Sequence, residues 1–205
     1  YDGRSEKWLR CDPPSRLVTT IYDAKELNHV KTLKGIARQP YYRADNGELV
    51  RTAGFNAQTG IYGDFKSEDF DLPEPTLENA QAALEQISGL LSEFQFLAKV
   101  DKAAGVSLLF TAVMRLSLDL APGYLAKAPM SGSGKSYLCA IAGALATPDD
   151  RQTSPYPKTA EEASKALLSL LLQMPPVIEF DDMDEDIKPH SIMKQALTSE
   201  FVTDR

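Results

Sequence analysis

The run Ser131-Gly132-Ser133-Gly134-Lys135-Ser136 constrains this chain more than any other stretch. Glycines at 132 and 134 can take backbone φ > 0, which other residues resist. Successive N–H groups then turn inward and form a concave cradle for an anion. A lysine after the second glycine brings a cation to a polyphosphate, and the hydroxyl after it is an oxygen ligand for Mg²⁺. Upstream, residues 123–128 are short and mostly apolar after Pro122, which predicts a buried strand. Downstream, residues 137–146 are apolar and Ala-rich and stop at Pro148, which predicts a helix. Strand, glycine loop and helix together place phosphate at a helix N-terminus, where unpaired N–H groups and the helix dipole favour negative charge.

The pattern is that of a P-loop: Gly, four residues, then Gly-Lys-Ser/Thr. One position departs from it, because Pro129 stands where the first glycine belongs. The residues expected to hold nucleotide are Ser131, Gly132, Ser133, Gly134, Lys135, Ser136 and Tyr137. Lys135 reaches the β/γ phosphates and counts as catalytic; Ser136 holds Mg²⁺. The implied ligands are ATP and Mg²⁺.

A second motif follows. Pro175-Pro176-Val177-Ile178-Glu179-Phe180-Asp181-Asp182 is an apolar strand that ends in two carboxylates. A carboxylate at the tip of a buried strand can bind the metal that bridges the phosphates, as in a Walker B element. Its neighbour can orient and deprotonate the attacking water. Asp181 is therefore assigned to the metal and Asp182 to the water. Glu179 is costly in a buried strand unless paired. Either that face is solvated or Glu179 takes part in the chemistry. Residues 181–186 carry five acids in six positions, the composition of a solvated acidic loop when no glycine loop precedes it.

Between the two motifs, Thr159-Ala160-Glu161-Glu162 has the form of a helix-capping box. Ala163, Ala166, Leu167, Leu170 and Leu171 follow at helical spacing, and Pro175 ends the run. A short segment at 152–156 precedes this helix, and another helix is expected from about His190 to Thr198. Alternation of strands and helices gives the expected fold class: α/β, a P-loop NTPase core with a parallel sheet and helices on both faces. Nucleotide would sit at the carboxyl ends of the strands. Only about three strands are accounted for before Arg205, so a core cut short at the C-terminus is expected. The chain also begins at Tyr1 with no methionine, so a cut at both ends is expected.

The regions before the core differ in texture. A helix is expected from about Arg16 to Leu27, after Pro13-Pro14. Residues 40–51 read as a hairpin whose Asn46-Gly47 supplies the φ > 0 pair of a tight turn. Residues 54–62 suggest a further turn and short strand. After the acid- and Pro-rich stretch at 71–75, Thr76 caps a helix with Leu77, Ala80, Ala83, Leu84, Ile87, Leu90 and Leu91 on one face. A second apolar helix runs from about Lys102 to Leu120. The expected domains are a small α+β unit with a hairpin at 1–72, a helical collar at 73–120 and the ATPase core at 121–205.

Composition excludes several classes. No run reaches the roughly 18 apolar residues that span a bilayer, so no membrane association is expected. Cys11 and Cys139 are far apart, and His29 and His190 are isolated, which predicts reduced thiols, a cytoplasmic setting and no His/Cys metal cluster. Trp8 has no motif around it and reads as a packing residue. The net charge is −7, which argues against a simple nucleic-acid coat. It is uneven: residues 1–70 hold 11 Lys/Arg against 10 Asp/Glu, and residues 71–205 hold 11 against 19. A nucleic-acid contact would favour a local patch such as Arg38, Arg43 and Arg51, although scattered solvated charge is the stronger reading there.

The stretch Leu33-Lys34-Gly35-Ile36, Pro40, Arg43, Gly47, Gly54-Phe55-Asn56 and Thr59-Gly60-Ile61-Tyr62 resembles the region before the ATPase core in primase-helicase ATPases of phages, plasmids and integrative elements. Residues Ala128 to Ser136 resemble that group's P-loop, in which Ala-Pro stands where other P-loops have Gly. Asp181-Asp182, Leu197-Thr198-Ser199 and Asp204-Arg205 resemble its later segments. The resemblance covers most of residues 30–205. It implies an ATP-driven motor, a replicative helicase or primase-helicase of a mobile element, acting on single-stranded DNA as a homo-oligomeric ring. The other class left open is a regulatory P-loop ATPase or kinase that does not move nucleic acid. In a motor of this kind an arginine stabilises charge during hydrolysis, often from a neighbouring subunit. Arg151, Arg205 and Arg115 are poor candidates within the chain, Arg115 because it lies in the apolar collar helix.

Overall fold

A computed structural model of the protein describes residues 12–24, 31–130, 132–147, 152–181, 183, 186–199 and 202–203. Backbone contacts divide the chain into two units, 1–32 and 33–205. Among its described residues the first holds α1 (Ser15–Asp23), entered through Pro14, whose carbonyl accepts from the amides of Leu17 and Val18. α1 ends at Asp23, with Ala24 as its C-cap, and the rest of the stretch expected to run to Leu27 lies outside the described residues.

The second unit begins with five short strands: β1 (Gly35–Ala37), β2 (Tyr41–Tyr42), β3 (Leu49–Val50), β4 (Gly54–Asn56) and β5 (Ile61–Gly63). β5 pairs parallel with β1 and antiparallel with β4. β2 pairs antiparallel with β3, with Tyr41 opposite Val50. The connection is longer than the tight Asn-Gly turn expected from sequence. Only Gly47 takes positive φ, at 70°. Asn46 instead uses its side chain: its Oδ1 accepts from the Glu48 amide at 2.9 Å, a local bond that competes with the tight turn.

Ala37, Tyr41, Val50 and Ile61 form the core of this strand cluster, with Phe65 and Leu116 against it. Leu116 comes from the far end of the next helical segment. Ser117 Oγ accepts from the Tyr42 amide at 3.1 Å, and the Val113 carbonyl accepts from Gln39 Nε2 at 3.3 Å. These long-range contacts join the strands to the helices after them. The strands and helices from residue 33 onward belong to one compact unit.

Helix α2 (Leu77–Gly89) starts at Thr76, whose hydroxyl accepts from the Asn79 amide. Helix α3 (Lys99–Met114) follows and passes into a 3₁₀ turn at Arg115–Ser117, so it ends before Leu120. α3 packs on α4 (Lys135–Ala146), the helix after the glycine loop. Leu91, Leu109, Ala112, Leu138, Ala142 and Ala146 form their shared core. On α3, Gly105 leaves room for the connection from α2: a Cβ there would stand 3.1 Å from the Phe96 ring and 3.2 Å from the Leu91 side chain. Burying a side chain such as Leu109 contributes about 1.5–3 kcal/mol.

The remainder is β6 (Gln152–Pro155), α5 (Ala160–Leu171), β7 (Ile178–Asp181) and α6 (Ser191–Thr198). β6 and β7 pair in parallel, with Thr153 opposite Glu179 and Pro155 opposite Asp181. Successive strand residues point to opposite faces. Val177 accordingly packs with the α3–α4 core, and Ile178 packs with Ala163, Leu167 and Ile192 of α5 and α6. Helices thus cover both faces of the strand pair.

Residues 123–128 differ from expectation. They form no strand, and among the described residues the β6–β7 sheet has two strands. Tyr124, Ala126 and Ala128 are half-buried, and Leu125 and Lys127 are exposed. It is held by side chains instead of a ladder. The Tyr124 hydroxyl lies 2.8 Å from both Ser107 Oγ and Thr111 Oγ1 on α3. Two bonds at one phenol tie the run to a helix, where the ladder of a strand would tie it to a sheet.

Candidate functional site

The glycine loop enters α4 through two left-handed residues. Gly132 has φ 74° and Gly134, the residue at the helix N-cap, has φ 88°. A side chain at either would be strained there. At Gly134 it would also meet a wall, since a Cβ would lie 3.2 Å from Phe94 Cε1. Lys135 folds back over the loop: its Nζ donates to the Met130 carbonyl and to Ser133 Oγ, each at 3.3 Å. The ammonium is therefore held over the loop that leads into the first turn of α4.

Ser136, the next residue, links the two motifs. Its Oγ lies 3.5 Å from Asp181 Oδ1, at the carboxyl end of β7. The two residues are 45 positions apart in the chain. Strand alternation accounts for the meeting: Asp181 shares a face with Val177, which packs toward α4. Serine hydroxyl and carboxylate are hard oxygen donors of the kind Mg²⁺ takes. Among the described residues no group of three or more His, Cys, Asp or Glu side chains gathers into a metal cage. A site with one or two protein ligands, completed by phosphates and water, suits Mg²⁺.

Glu179 lies on the same face as Asp181. It is 8% exposed, so the solvated-face alternative does not hold. Thr153 Oγ1 donates to its Oε2 at 3.4 Å from the adjacent strand. Pairing across the ladder is what makes a carboxylate tolerable there. Thr153 was not singled out from sequence. A threonine in the run Gln-Thr-Ser has no signal of its role until the register places it opposite Glu179.

The floor under β7 is fixed by a second cluster. Tyr156 stacks edge-on against Phe180 at 5.5 Å and lies 5.7 Å from the His190 ring. Its hydroxyl donates to the Lys188 carbonyl at 2.7 Å, and burial pushes its phenol pKa above the usual range. His190 is buried, and its Nε2 lies 2.9 Å from the Pro157 carbonyl, which can only accept; the ring N–H therefore donates. These bonds tie the start of α6 to the end of β6. At the start of α5 the capping box closes as its sequence implies. Thr159 Oγ1 accepts from the Glu162 amide, and Glu162 accepts from the amides of Lys158 and Thr159. Those amides, Lys158 first, hold the Glu162 carboxyl below its ordinary range.

Of the expected site residues, Gly132, Ser133, Gly134, Lys135, Ser136 and Asp181 come together at one end of the β6–β7 pair, with Tyr137 on the first turn of α4. Ser131 and Asp182 lie outside the described residues, as do Arg151 and Arg205. Arg115 donates to the Leu118 carbonyl, a structural bond within its own turn. Two of the three arginines in the basic patch, Arg38 and Arg43, are paired with acids. Arg38 pairs with Asp64, and Arg43 pairs with Asp45 and Glu48 and donates to Gln58. Asp45, chiefly through its hydrogen bond with Arg43, is held below the ordinary carboxylate range. Among the described residues no helix is long and apolar enough to cross a membrane. No family model, curated protein or solved structure matches the chain.

Proposed function

We propose that residues 121–205 are a P-loop NTPase core that binds and hydrolyses ATP–Mg²⁺, and that the protein is a DNA motor of the replicative helicase or primase-helicase type. The observation that carries the nucleotide reading is the approach of Ser136 Oγ to Asp181 Oδ1 across 45 residues, beside two glycines at positive φ. A flexible surface loop would have no reason to place its serine on the carboxylate at the tip of a parallel strand.

In this reading the amides of residues 132–136 and the Lys135 ammonium hold the β and γ phosphates. Ser136 and Asp181 hold Mg²⁺, which when bound neutralises charge building on the phosphates. Water attacks the γ-phosphorus, ADP leaves, and the proton of the water passes to Asp182. Thr153 keeps Glu179 positioned below Asp181. Work on DNA, a ring of identical subunits and a cytoplasmic setting come from the resemblance of residues 30–205 to mobile-element primase-helicases and from the thiol composition.

Calorimetric titration with ATP–Mg²⁺, followed by phosphate release with and without single-stranded DNA, tests both halves. Binding by the wild type and none by a folded Lys135→Ala variant is the expected result. Equal affinity in the two would overturn the nucleotide site. Turnover that ignores DNA in the assembled protein would overturn the motor and leave a regulatory ATPase or kinase.

A further inference from the structure

We infer that Tyr137, backed by Phe94, is the platform on which the base of the bound nucleotide stacks, so that the site selects purine nucleoside triphosphates by ring area and not by hydrogen bonds to the base edge. The inference rests on the phosphate-binding reading of the glycine loop.

Phe94 lies in the connection between α2 and α3, and its ring edge reaches the glycine loop at Gly134. One side of Phe94 is anchored: it packs into the α3–α4 core and sits 6.1 Å from the Phe96 ring. On the other side it lies nearly parallel to Tyr137, with ring centroids 6.1 Å apart and planes 12° off parallel. Tyr137 itself is 67% exposed. The chain therefore fixes the orientation of an aromatic ring through a half-buried partner packed against the core and leaves much of that ring in water.

Position supplies the ligand. Tyr137 follows Ser136 directly, in the first turn of α4. Phosphates held by the loop amides and Lys135 leave the nucleoside beside this turn, within reach of a ring adjoining the phosphate-binding residues. Stacking on an aromatic side chain is effective for any base and tolerant of its identity, because every base has a π-face. The larger face of a purine gains more than that of a pyrimidine, so ATP and GTP should bind alike, and both more tightly than CTP and UTP.

The test compares Mg²⁺ complexes of ATP, GTP, CTP and inorganic tripolyphosphate on the wild type, Tyr137→Ala and Tyr137→Phe by calorimetry, with thermal melts as the check on folding. Tyr137 is exposed, so its replacement leaves the core intact. Tyr137→Ala should weaken ATP and GTP by about 5- to 100-fold and leave tripolyphosphate unchanged. Tyr137→Phe should keep wild-type affinity. Loss of tripolyphosphate binding in parallel with ATP, or no loss for either, would overturn the platform. So would a wild type that separates ATP from GTP by more than about tenfold, which needs edge readout. A wild type that binds tripolyphosphate as tightly as ATP removes the platform but keeps the phosphate site. One that binds neither removes both.

Discussion

The strand cluster at residues 35–63 and the glycine-loop region at 121–199 are built by different means. In the first, many polar side chains act within a few residues of themselves. Asn46 caps Glu48, Asn56 accepts from the amides of Gln58 and Thr59, and Arg43 grips Asp45. Such bonds form as soon as the turn forms and do not depend on distant chain. In the second, the functional contacts span long separations: Ser136 with Asp181, Thr153 with Glu179, Phe94 with Tyr137. Each depends on a helix or strand being docked first. The first region should therefore tolerate local damage without losing ligand, and the second should lose ligand through changes that leave the fold intact.

The sharpest way to break that contrast is through the core the site depends on. Leu109→Ala empties the fully buried centre of the α3–α4 interface and should cost about 2–5 kcal/mol. Chemical denaturation measures it. A loss below about 1 kcal/mol would mean that α3 does not support the site helix.

Changes at the site come next and should separate affinity from stability. Lys135→Ala should lower ATP affinity by about 100-fold or more with an unchanged melting temperature. Asp182→Asn should still bind ATP and lose about 100-fold or more in turnover, whereas Asp181→Asn should raise the Mg²⁺ needed for binding. Normal hydrolysis by Asp182→Asn would move the water-activating role to Glu179.

In the strand cluster the expectation is the reverse. Gly63→Ala puts a methyl 2.9 Å from Phe65 Cε1 and 3.2 Å from the backbone at Thr52 and Ala53. Backbone cannot move aside as a side chain can, so a loss of about 1–3 kcal/mol is expected, with ATP affinity kept. Joint loss of stability and affinity would show the two regions to be one cooperative site.

The smallest effect concerns the cap of α5. Thr159→Ala should cost about 1 kcal/mol. Glu162 adds a pH dependence. Its folded-state pKa is depressed by the amides of Lys158 and Thr159, so its contribution is present above the ordinary glutamate range. That contribution is lost as pH falls through the lower folded value. The melting difference between wild type and Glu162→Gln should therefore be visible at neutral pH and vanish in acid. A difference that persists at low pH would assign the cap to the neutral side chain.

Sequence by itself was sufficient for features whose causes are local. The capping box at Thr159 and Glu162, the cap at Thr76, the positive-φ glycines before Lys135 and the helix that follows them all depend on neighbours a few residues away. So does the alternation that sends Ile178 and Asp181 to opposite faces of one strand. Features set by distant partners were not legible. Residues 123–128 have the composition of a strand, but Tyr124 bonds to α3 and no ladder forms. The loop at Asn46-Gly47 departs from a tight turn for a local reason: the Asn46 side chain takes the Glu48 amide two residues on, and the loop widens. Glu179 could be judged only once Thr153 stood opposite it, and Phe94 joined the site only when α3 docked on α4. Local chemistry chooses which conformations a segment can adopt. Tertiary packing chooses among them, because desolvation and long-range pairing outweigh propensity once a side chain is buried.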